Sequence, residues 1–326
     1  MPGVDLLTDV LAQPRAREAF LLRVLMRPPW RVDVADEAPL SVVPVLRGAV
    51  VLLVDGAPAA RLTPGDVLVV REPTAYALAS AVDVPATVRI GAGQACTGPE
   101  GRDLSTALLS GVRTWGNDPK GEDELLVGTY RSGSQLGRML LGSLPPWLVV
   151  HGQAPELVRL LAEETAQERV AQGSVLDRLL DVLTVATLRA WADGEGAGRS
   201  GLLAVDRDEV VRAAVAALQR DLAAPWGTES LARIAGVSRA CLTRRFVSAL
   251  GVPPMSFVTQ WRLAMASELL ERSDLTVAAV AHRVGYATPF SFSAAFKRQH
   301  GVSPQAYRQR VGGGGPAAAA TSRGRG

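Results

Sequence analysis

Residues 231–254 read LARIAGVSRACLTRRFVSALGVPP, and residues 280–304 read VAHRVGYATPFSFSAAFKRQHGVSP. The two segments repeat one pattern about fifty residues apart. In each copy a short apolar segment ends at a glycine, a tight turn follows, and a second segment starts at a hydroxyl residue, Ser238 or Thr288. Glycine suits the left-handed position after a helix, and Ser or Thr accepts hydrogen bonds from the first N–H groups of the next helix. The pattern predicts two helix-turn-helix units.

The second helix of each copy has a buried stripe and an outward face. The buried stripes are predicted from apolar spacing at Leu242, Phe246 and Leu250 in one copy and at Phe292 and Phe296 in the other. The outward positions are then Arg239, Ala240, Thr243, Arg244 and Val247, and Pro289, Phe290, Ser293, Ala294 and Lys297. Arginine can pair with guanine, threonine can contact a thymine methyl, and neighbouring cations can hold phosphates. We therefore expect the first helix to be the better reader of bases.

The segment between the copies is predicted to be one helix. Residues 255–272 contain no glycine or proline, and Pro254 suits the first turn of a helix. At 1.5 Å per residue this helix would be on the order of 27 Å long. It could therefore hold two reading helices about one duplex turn apart, ~34 Å, on one face of DNA.

These residues resemble the DNA-binding domain of AraC/XylS-family transcription regulators over about 100 residues. The motifs that carry the resemblance are Leu231-Ala232, Gly251-Val252-Pro253, Trp261-Arg262-Leu263, Gly285-Tyr286, Phe296-Lys297-Arg298 and Gly301-Val302-Ser303-Pro304. By this resemblance Ala240, Thr243 and Arg244 read bases. The corresponding positions of the second helix hold Pro289, Phe290, Ser293 and Ala294, an unusually apolar set. The predicted DNA contacts are Ser238, Arg239, Ala240, Thr243, Arg244, Arg245, Thr288, Pro289, Phe290, Ser293, Ala294, Lys297 and Arg298.

The charge distribution agrees with a separate DNA-binding part. Residues 228–311 contain eleven Lys or Arg and four Asp or Glu, a formal charge of +7. The whole chain carries only +3, so the remainder is acidic at −4. A basic domain joined to an acidic remainder is typical of a nucleic-acid binder with a second, sensory or assembly part.

Length and composition bound the rest of the chain. With 326 residues and 48% hydrophobic content, it can bury two cores. The sequence has no run of eighteen apolar residues, so it predicts no membrane span. Charged residues such as Asp5, Asp9 and Arg15 interrupt the hydrophobic segment that a signal peptide would need at the N-terminus. Two cysteines make no disulfide framework. We expect a cytoplasmic protein with no membrane contact.

The sequence predicts an α+β protein, and the pattern of the N-terminal half favours an antiparallel β-barrel as its first domain. Residues 1–27 start with a helical pattern that runs from Val4 to Leu11 and again from Phe20 to Met26. From Pro28 to Ile90, short apolar runs are split by turn signals, which favours strands. Residues 46–50 and 62–70 resemble the strand pairs of cupin domains that precede many AraC-family regulators.

Residues 104–192 are predicted to be helical. Helices over Glu156–Gln172 and Val175–Ala192, joined by Gly173-Ser174, would form an antiparallel pair. In the family this region makes homodimers; the alternative is that its apolar stripe packs on the barrel. The predicted domains are thus 1–192 for sensing and dimerisation, a linker at 193–203, the all-α double helix-turn-helix domain at 204–311, and a disordered tail at 312–326.

The barrel is not expected to be an enzyme. Cupin enzymes hold a metal with several histidines, but the three histidines here are His151, His282 and His300, all outside the barrel. Val43 and Tyr76 stand where relatives often carry a metal-binding histidine, so we expect no metal and no other cofactor. The candidates for a ligand pocket are Trp30, Val43 and Tyr76. Cys96, in a loop-like stretch, is a candidate redox thiol if it is exposed.

The resulting hypothesis is a dimeric transcription regulator that binds double-stranded DNA and is controlled by a small molecule in the N-terminal domain. RNA polymerase is a further expected partner. Two alternatives remain: a thiol-based regulator that uses Cys96, and a constitutive DNA-binding factor without a ligand.

Overall fold

The structure is a computed structural model that describes residues 20–130, 144–152, 155–167, 169–194, 205 and 207–312. The described residues up to 194 form an N-terminal unit, and those from 205 onward form a C-terminal unit. The linker predicted at 193–203 falls outside the described residues from 195 onward, and the tail predicted at 312–326 does so from 313 onward. The helical pattern between Val4 and Leu11 is also outside them.

The described part of the N-terminal unit contains thirteen strands. They are β1 (Phe20–Met26), β2 (Arg31–Val34), β3 (Leu40–Arg47), β4 (Val50–Leu53), β5 (Ala60–Leu62), β6 (Val67–Arg71), β7 (Tyr76–Ala79), β8 (Val88–Gly91), β9 (Ala95–Thr97), β10 (Leu109–Gly111), β11 (Thr114–Gly116), β12 (Asp123–Tyr130) and β13 (Trp147–Val150). One sheet has seven strands in the order β10-β11-β1-β12-β3-β6-β13, and the other has six in the order β5-β4-β7-β2-β8-β9. Strand β1 runs parallel to β11, β2 runs parallel to β8, and the other described pairs are antiparallel.

The two sheets share one apolar core. Val24, Val45 and Leu125 contribute to it from the seven-stranded sheet, and Leu52 and Leu78 from the six-stranded sheet. Both sheets end in edge strands, so the predicted barrel takes the form of an open sandwich. A sheet-rich first unit followed by a helical second unit confirms the predicted α+β class.

Two segments predicted to be helical are strands. Phe20–Met26 forms β1, and the region predicted as helical from residue 104 contains β10 to β13 before its first described helix. Strand β12 lies between β1 and β3 and is buried at seven of its eight positions. A strand buried on both faces loses the alternation of polar and apolar residues that identifies exposed strands, so periodicity alone cannot separate it from a buried helix.

Two helices complete the described N-terminal unit, and their boundaries differ from the prediction. Helix α1 (Pro155–Thr165) ends earlier than expected, and α2 (Gln172–Asp193) starts earlier, so Gly173-Ser174 lies in the first turn of α2. Ala171 has a left-handed φ of 60°, which breaks the helical path. The Gln172 side chain donates to the carbonyl of Glu164 at 2.6 Å, so the start of α2 is hydrogen-bonded to the last turn of α1.

One face of α2 packs on the seven-stranded sheet. A Cβ atom on Gly128 of β12 would lie 2.5 Å from Leu180 Cδ1, so glycine allows the helix to approach the sheet closely. The Tyr130 hydroxyl on the same strand lies 2.8 Å from Thr184 Oγ1 of α2. This face of α2 therefore packs on the sheets of its own domain, as the alternative to a dimer contact predicts.

The C-terminal unit is all helical in its described residues. Its helices are α3 (Glu209–Arg220), α4 (Thr228–Ile234), α5 (Arg239–Leu250), α6 (Pro254–Arg272), α7 (Val277–Arg283), α8 (Pro289–His300) and α9 (Pro304–Gly312). Helices α4 and α5 form the first predicted helix-turn-helix unit, and α7 and α8 form the second. The connecting helix α6 spans Pro254–Arg272, as the sequence predicts.

Candidate DNA-binding interface and sensor cavity

The two helix-turn-helix units use the same local geometry. The Ser238 hydroxyl accepts a hydrogen bond from the backbone N–H of Cys241 at 3.3 Å, and Thr288 accepts one from Ser291 at 3.1 Å. These bonds cap the N-termini of α5 and α8, the two reading helices. Gly251 and Gly301 end the same helices with left-handed φ angles of 75° and 72°. The two caps confirm the predicted start of each reading helix, and the left-handed φ angles of Gly236 (67°) and Gly285 (84°) confirm the predicted glycine before each turn.

The buried stripes of the reading helices are those predicted, with one exception. Leu242 and Phe246 of α5 and Phe292 and Phe296 of α8 are fully buried. Leu250, the last residue of α5, is only half-buried because it lies where the helix leaves the core. These anchors fix which face of each helix is directed toward solvent.

The outward face of α5 is polar and cationic. Arg239, Ala240 and Arg244 are exposed, and Thr243 is half-buried between them. The Arg244 guanidinium lies 3.9 Å from Cys241 Sγ, a weak contact that leaves its donors available. This face carries groups that can pair with base edges or phosphates.

The outward face of α8 is apolar at its start and basic at its end. Phe290 is 85% exposed, Pro289 and Ala294 are exposed beside it, and Ser293 is half-buried. Lys297 and Arg298 are exposed in the last turn. The two reading helices therefore offer different chemistry on equivalent faces.

One predicted DNA contact, Arg245, already has an intramolecular partner. Its guanidinium donates to Asp208 Oδ2 at 3.0 Å, and this hydrogen bond raises the pKa of Arg245. Asp208 also caps α3 by accepting from the backbone N–H groups of Val210 and Val211. Arg245 thus ties the first reading helix to α3.

Arg262 of α6 holds parts of the C-terminal unit together, a role that its sequence position does not predict. Its guanidinium donates to the carbonyl of Leu222 at 3.0 and 3.1 Å and to that of Ala224 at 2.6 Å. The same group closes over Gly285, where an added Cβ would lie 2.6 Å from Arg262 Nη2. Arg262 therefore links the loop after α3 to the turn of the second helix-turn-helix unit.

A cavity of about 390 Å³ is lined by strands of both sheets in the N-terminal unit. Its walls are mainly aliphatic and aromatic, and they include Trp30 and Tyr76. Val43 is fully buried in the same core but is not among the residues that line the cavity, so its role as a ligand contact stays a prediction that this cavity does not support.

Trp30 is held in the cavity wall by a polar contact, and Tyr76 is buried there as a neutral phenol. The Trp30 indole N–H donates to Asp123 Oδ2 at 2.7 Å, and Asp123 also accepts from the backbone N–H of Ala49. Burial raises the pKa of the Tyr76 hydroxyl, and the charge of Asp36 raises it further, so Tyr76 stays neutral. At the cavity wall the Gln94 side chain donates to Asp36 Oδ2 at 2.7 Å.

Cys96 does not have the exposure that its redox hypothesis requires. It lies on β9, is 6% exposed and lines the cavity. Burial raises the pKa of its thiol, and the nearby charge of Asp103 acts in the same direction. A protonated buried thiol is a poor nucleophile, which disfavours the thiol-sensor alternative.

The described residues contain neither a metal-binding cluster nor a membrane-spanning helix. No group of three or more His, Cys, Asp or Glu side chains is placed to bind a metal within the described residues. His151 pairs with Asp66, at 2.9 Å between Nδ1 and Oδ1. Every helix in the described ranges is too short or too polar to cross a membrane.

Comparison with known proteins agrees with both units. The cupin family model matches residues 5–193, and a helix-turn-helix domain model matches residues 231–310. A relative from Streptomyces antibioticus, named an AraC-like transcription regulator, is 28% identical over 314 residues, which cover 94% of this chain and 99% of the relative. The transcriptional regulator AlkR of Acinetobacter baylyi is 32% identical over 198 residues, 58% of this chain and 64% of its own length.

Among solved structures, the DNA-binding domain of AdpA, a global transcriptional factor crystallised with a target DNA, is 37% identical. The match covers 32% of this chain and 92% of that domain, with a TM-score of 0.30. The family is shown by the matches to a cupin model and a helix-turn-helix model, together with relatives matched over 98–99% of their length. The chain belongs to the AraC-like transcription regulators that join an N-terminal cupin domain to a helix-turn-helix DNA-binding domain.

Proposed function

We propose that a small molecule bound in the N-terminal cavity controls how this transcription regulator binds DNA. The observation that carries the proposal is the cavity of about 390 Å³, whose apolar walls include a few polar groups. Ligand sites of roughly 300–1,000 Å³ with this composition are typical of proteins that bind small organic molecules. Protein relatives that are named as regulators support a binding role for the cavity, and we propose that the chain is not an enzyme.

The lining indicates the charge of the effector. Among the described lining residues Asp36 is the one carboxylate, and neither lysine nor arginine is present. A buried anion without a cationic partner is costly, whereas a neutral or cationic ligand can bind beside Asp36. The effector in this proposal is therefore an apolar molecule that is uncharged or carries an amine.

On the DNA side, we propose that α5 and α8 both contact the duplex. Arg239, Thr243 and Arg244 would contact base edges or nearby phosphates, and Lys297 and Arg298 would contact phosphates. The exposed caps Ser238 and Thr288 are placed to approach the backbone of the duplex. The acting protein would lie in the cytoplasm, where promoter DNA and RNA polymerase are available.

We also propose that the protein is a homodimer with the predicted domain boundaries. Leu160 of α1 and Val175 and Val182 of α2 are exposed apolar residues on the helix pair. Such a surface is suited to an isologous contact with a second copy. The first domain would end near residue 192, and the DNA-binding domain would span 204–311.

The dimer is tested by sedimentation of the full chain. We expect a dimer at the concentrations used for DNA binding, and we expect Val182→Glu to shift it toward monomer. Val82→Glu is the matched control, because Val82 is equally exposed but lies in the turn between β7 and β8. A wild-type monomer that binds DNA fully would contradict this part of the proposal.

Effector control is tested by thermal denaturation and DNA binding of the full chain with a panel of apolar amines, alcohols and carboxylates of matched size. Amines or alcohols should raise the melting temperature and change DNA affinity, whereas carboxylates should not. Asp36→Asn should remove the preference for amines over carboxylates and keep the acceptor for Gln94. The matched control is Asp33→Asn, since Asp33 pairs with Arg31 outside this cavity. Selective binding of carboxylates would contradict the proposed ligand class.

A further inference from the structure

Phe290 is the most exposed large apolar side chain of the C-terminal unit among its described residues. It is 85% exposed, against 44% for Ile234 and 45% for Val247. An isolated exposed apolar residue needs no explanation. Here, however, Pro289 and Ala294 are exposed on the same outward face of α8, so the three form an apolar patch.

The position of this patch matches the base-reading position of the first copy. A shift of about fifty residues places Phe290 where α5 has Ala240, and places Ala294 where α5 has Arg244. Both positions lie in the first half of the reading helix, the part that enters the major groove in helix-turn-helix proteins. At these two positions α5 has Arg244 and Ala240, whereas α8 has Ala294 and Phe290.

The major groove contains one apolar feature on its base edges, the C5-methyl group of thymine. We propose that the second reading helix recognises thymine methyl groups through Phe290, supported by Pro289 and Ala294. This inference rests on the proposed function, in which α8 enters the major groove. The half-site bound by α8 would then be recognised through thymine methyl groups, and the half-site bound by α5 through polar groups.

The charges on α8 support this orientation. Lys297 and Arg298 are exposed in the last turn, while the apolar patch lies at the start of the helix. Phosphates attract the basic end, so the apolar end can be held against the floor of the groove. An aromatic ring there gains contact with methyl groups and loses little by desolvation.

The test uses the full chain and a duplex selected by that chain from a random library. Each thymine of the duplex is replaced in turn by uracil, which removes one methyl group and keeps the pairing edge. For the wild type, replacing a contacted thymine should weaken binding about fourfold, the loss expected for one methyl-sized apolar contact. Phe290→Ala should weaken binding to the thymine duplex by at least that factor and should show no further loss with uracil.

Controls separate this inference from the proposed function. Phe290→Leu keeps an apolar side chain and should keep part of the response to uracil, and Gln299→Ala, exposed near the end of α8, should behave as the wild type. The inference would be overturned if uracil weakened DNA binding of Phe290→Ala by the same factor as it weakens binding of the wild type. An unchanged DNA affinity of Phe290→Ala would also overturn it, because the ring would then make no contact that stabilises the complex. If Lys297→Ala also left DNA affinity unchanged, α8 would not contact DNA, and the proposed function would fail with it.

Discussion

The two helix-turn-helix units have the same scaffold and different surfaces. Each has a hydroxyl cap, a terminal glycine and two fully buried side chains four residues apart on its reading helix. On the outward face, α5 has Arg239 and Arg244, whereas α8 has Phe290 and Ala294. The buried and capping residues determine the fold of each unit, so the outward face is free to change its chemistry.

The two units also differ in how they are held. The turn glycine of the first unit, Gly236, has open space where a Cβ would be, whereas the corresponding space at Gly285 is filled by Arg262 and Ala223. The first reading helix is instead tied to α3 by the pair Arg245–Asp208. The second turn is therefore the more sensitive of the two to any added atom.

The largest expected effect comes from adding one methyl group at each turn. Gly236→Ala should cost about 1 kcal/mol of unfolding free energy, because φ is +67° and an L-residue is strained there. Gly285→Ala should cost about 3 kcal/mol, because the same strain is joined by contacts of 2.6 Å with Arg262 and 2.9 Å with Ala223. Hydrogen exchange of peptides from 207–312 in the full chain measures both. Equal costs would show that Arg262 does not close this turn.

A smaller effect is expected from Arg244→Ala on the first reading helix. Loss of a bidentate contact with a base should weaken binding to the selected duplex by about 1–3 kcal/mol and relax the preference at one or two base pairs. Binding to random DNA should change far less. Fluorescence anisotropy with both duplexes provides the comparison, and an equal loss on the two would remove Arg244 from base reading.

The smallest effect is expected from Lys297→Ala on the second reading helix. A phosphate contact carries no sequence information, so selected and random duplexes should lose affinity by a similar factor of about two to three. The slope of log affinity against log salt should fall by about 1. Salt titrations of the wild type and the variant measure this. A loss confined to the selected duplex would instead make Lys297 a base-reading residue.

The C-terminal unit was largely predictable because its signals are local. Ser238, Thr288 and the turn glycines Gly236 and Gly285 mark boundaries within a few residues of themselves. The length of α6 followed from Pro254 and from the absence of further breakers up to Arg272. Each of these signals acts within one element and needs no knowledge of distant contacts.

The N-terminal unit was less predictable because its structure depends on long-range pairing. Strand β12 is buried between β1 and β3, partners about a hundred and about eighty residues away in sequence, so its pattern resembles a helix. The burial of Cys96 and the exclusion of Val43 from the cavity likewise depend on how two sheets pack. The role of Arg262 was missed for the same reason, since its acceptors at Leu222 and Ala224 lie about forty residues earlier.

The claim that the two units read DNA by different chemistry is tested most directly by sequencing the duplexes that the full chain selects from a random library. For the wild type we expect two submotifs about one helical turn apart. Arg244→Ala should relax base preference in one submotif, and Phe290→Ala should relax a preference for thymine in the other. If both variants altered the same base pairs, or if Phe290→Ala left the selected motif unchanged, the account of two different readers would be contradicted.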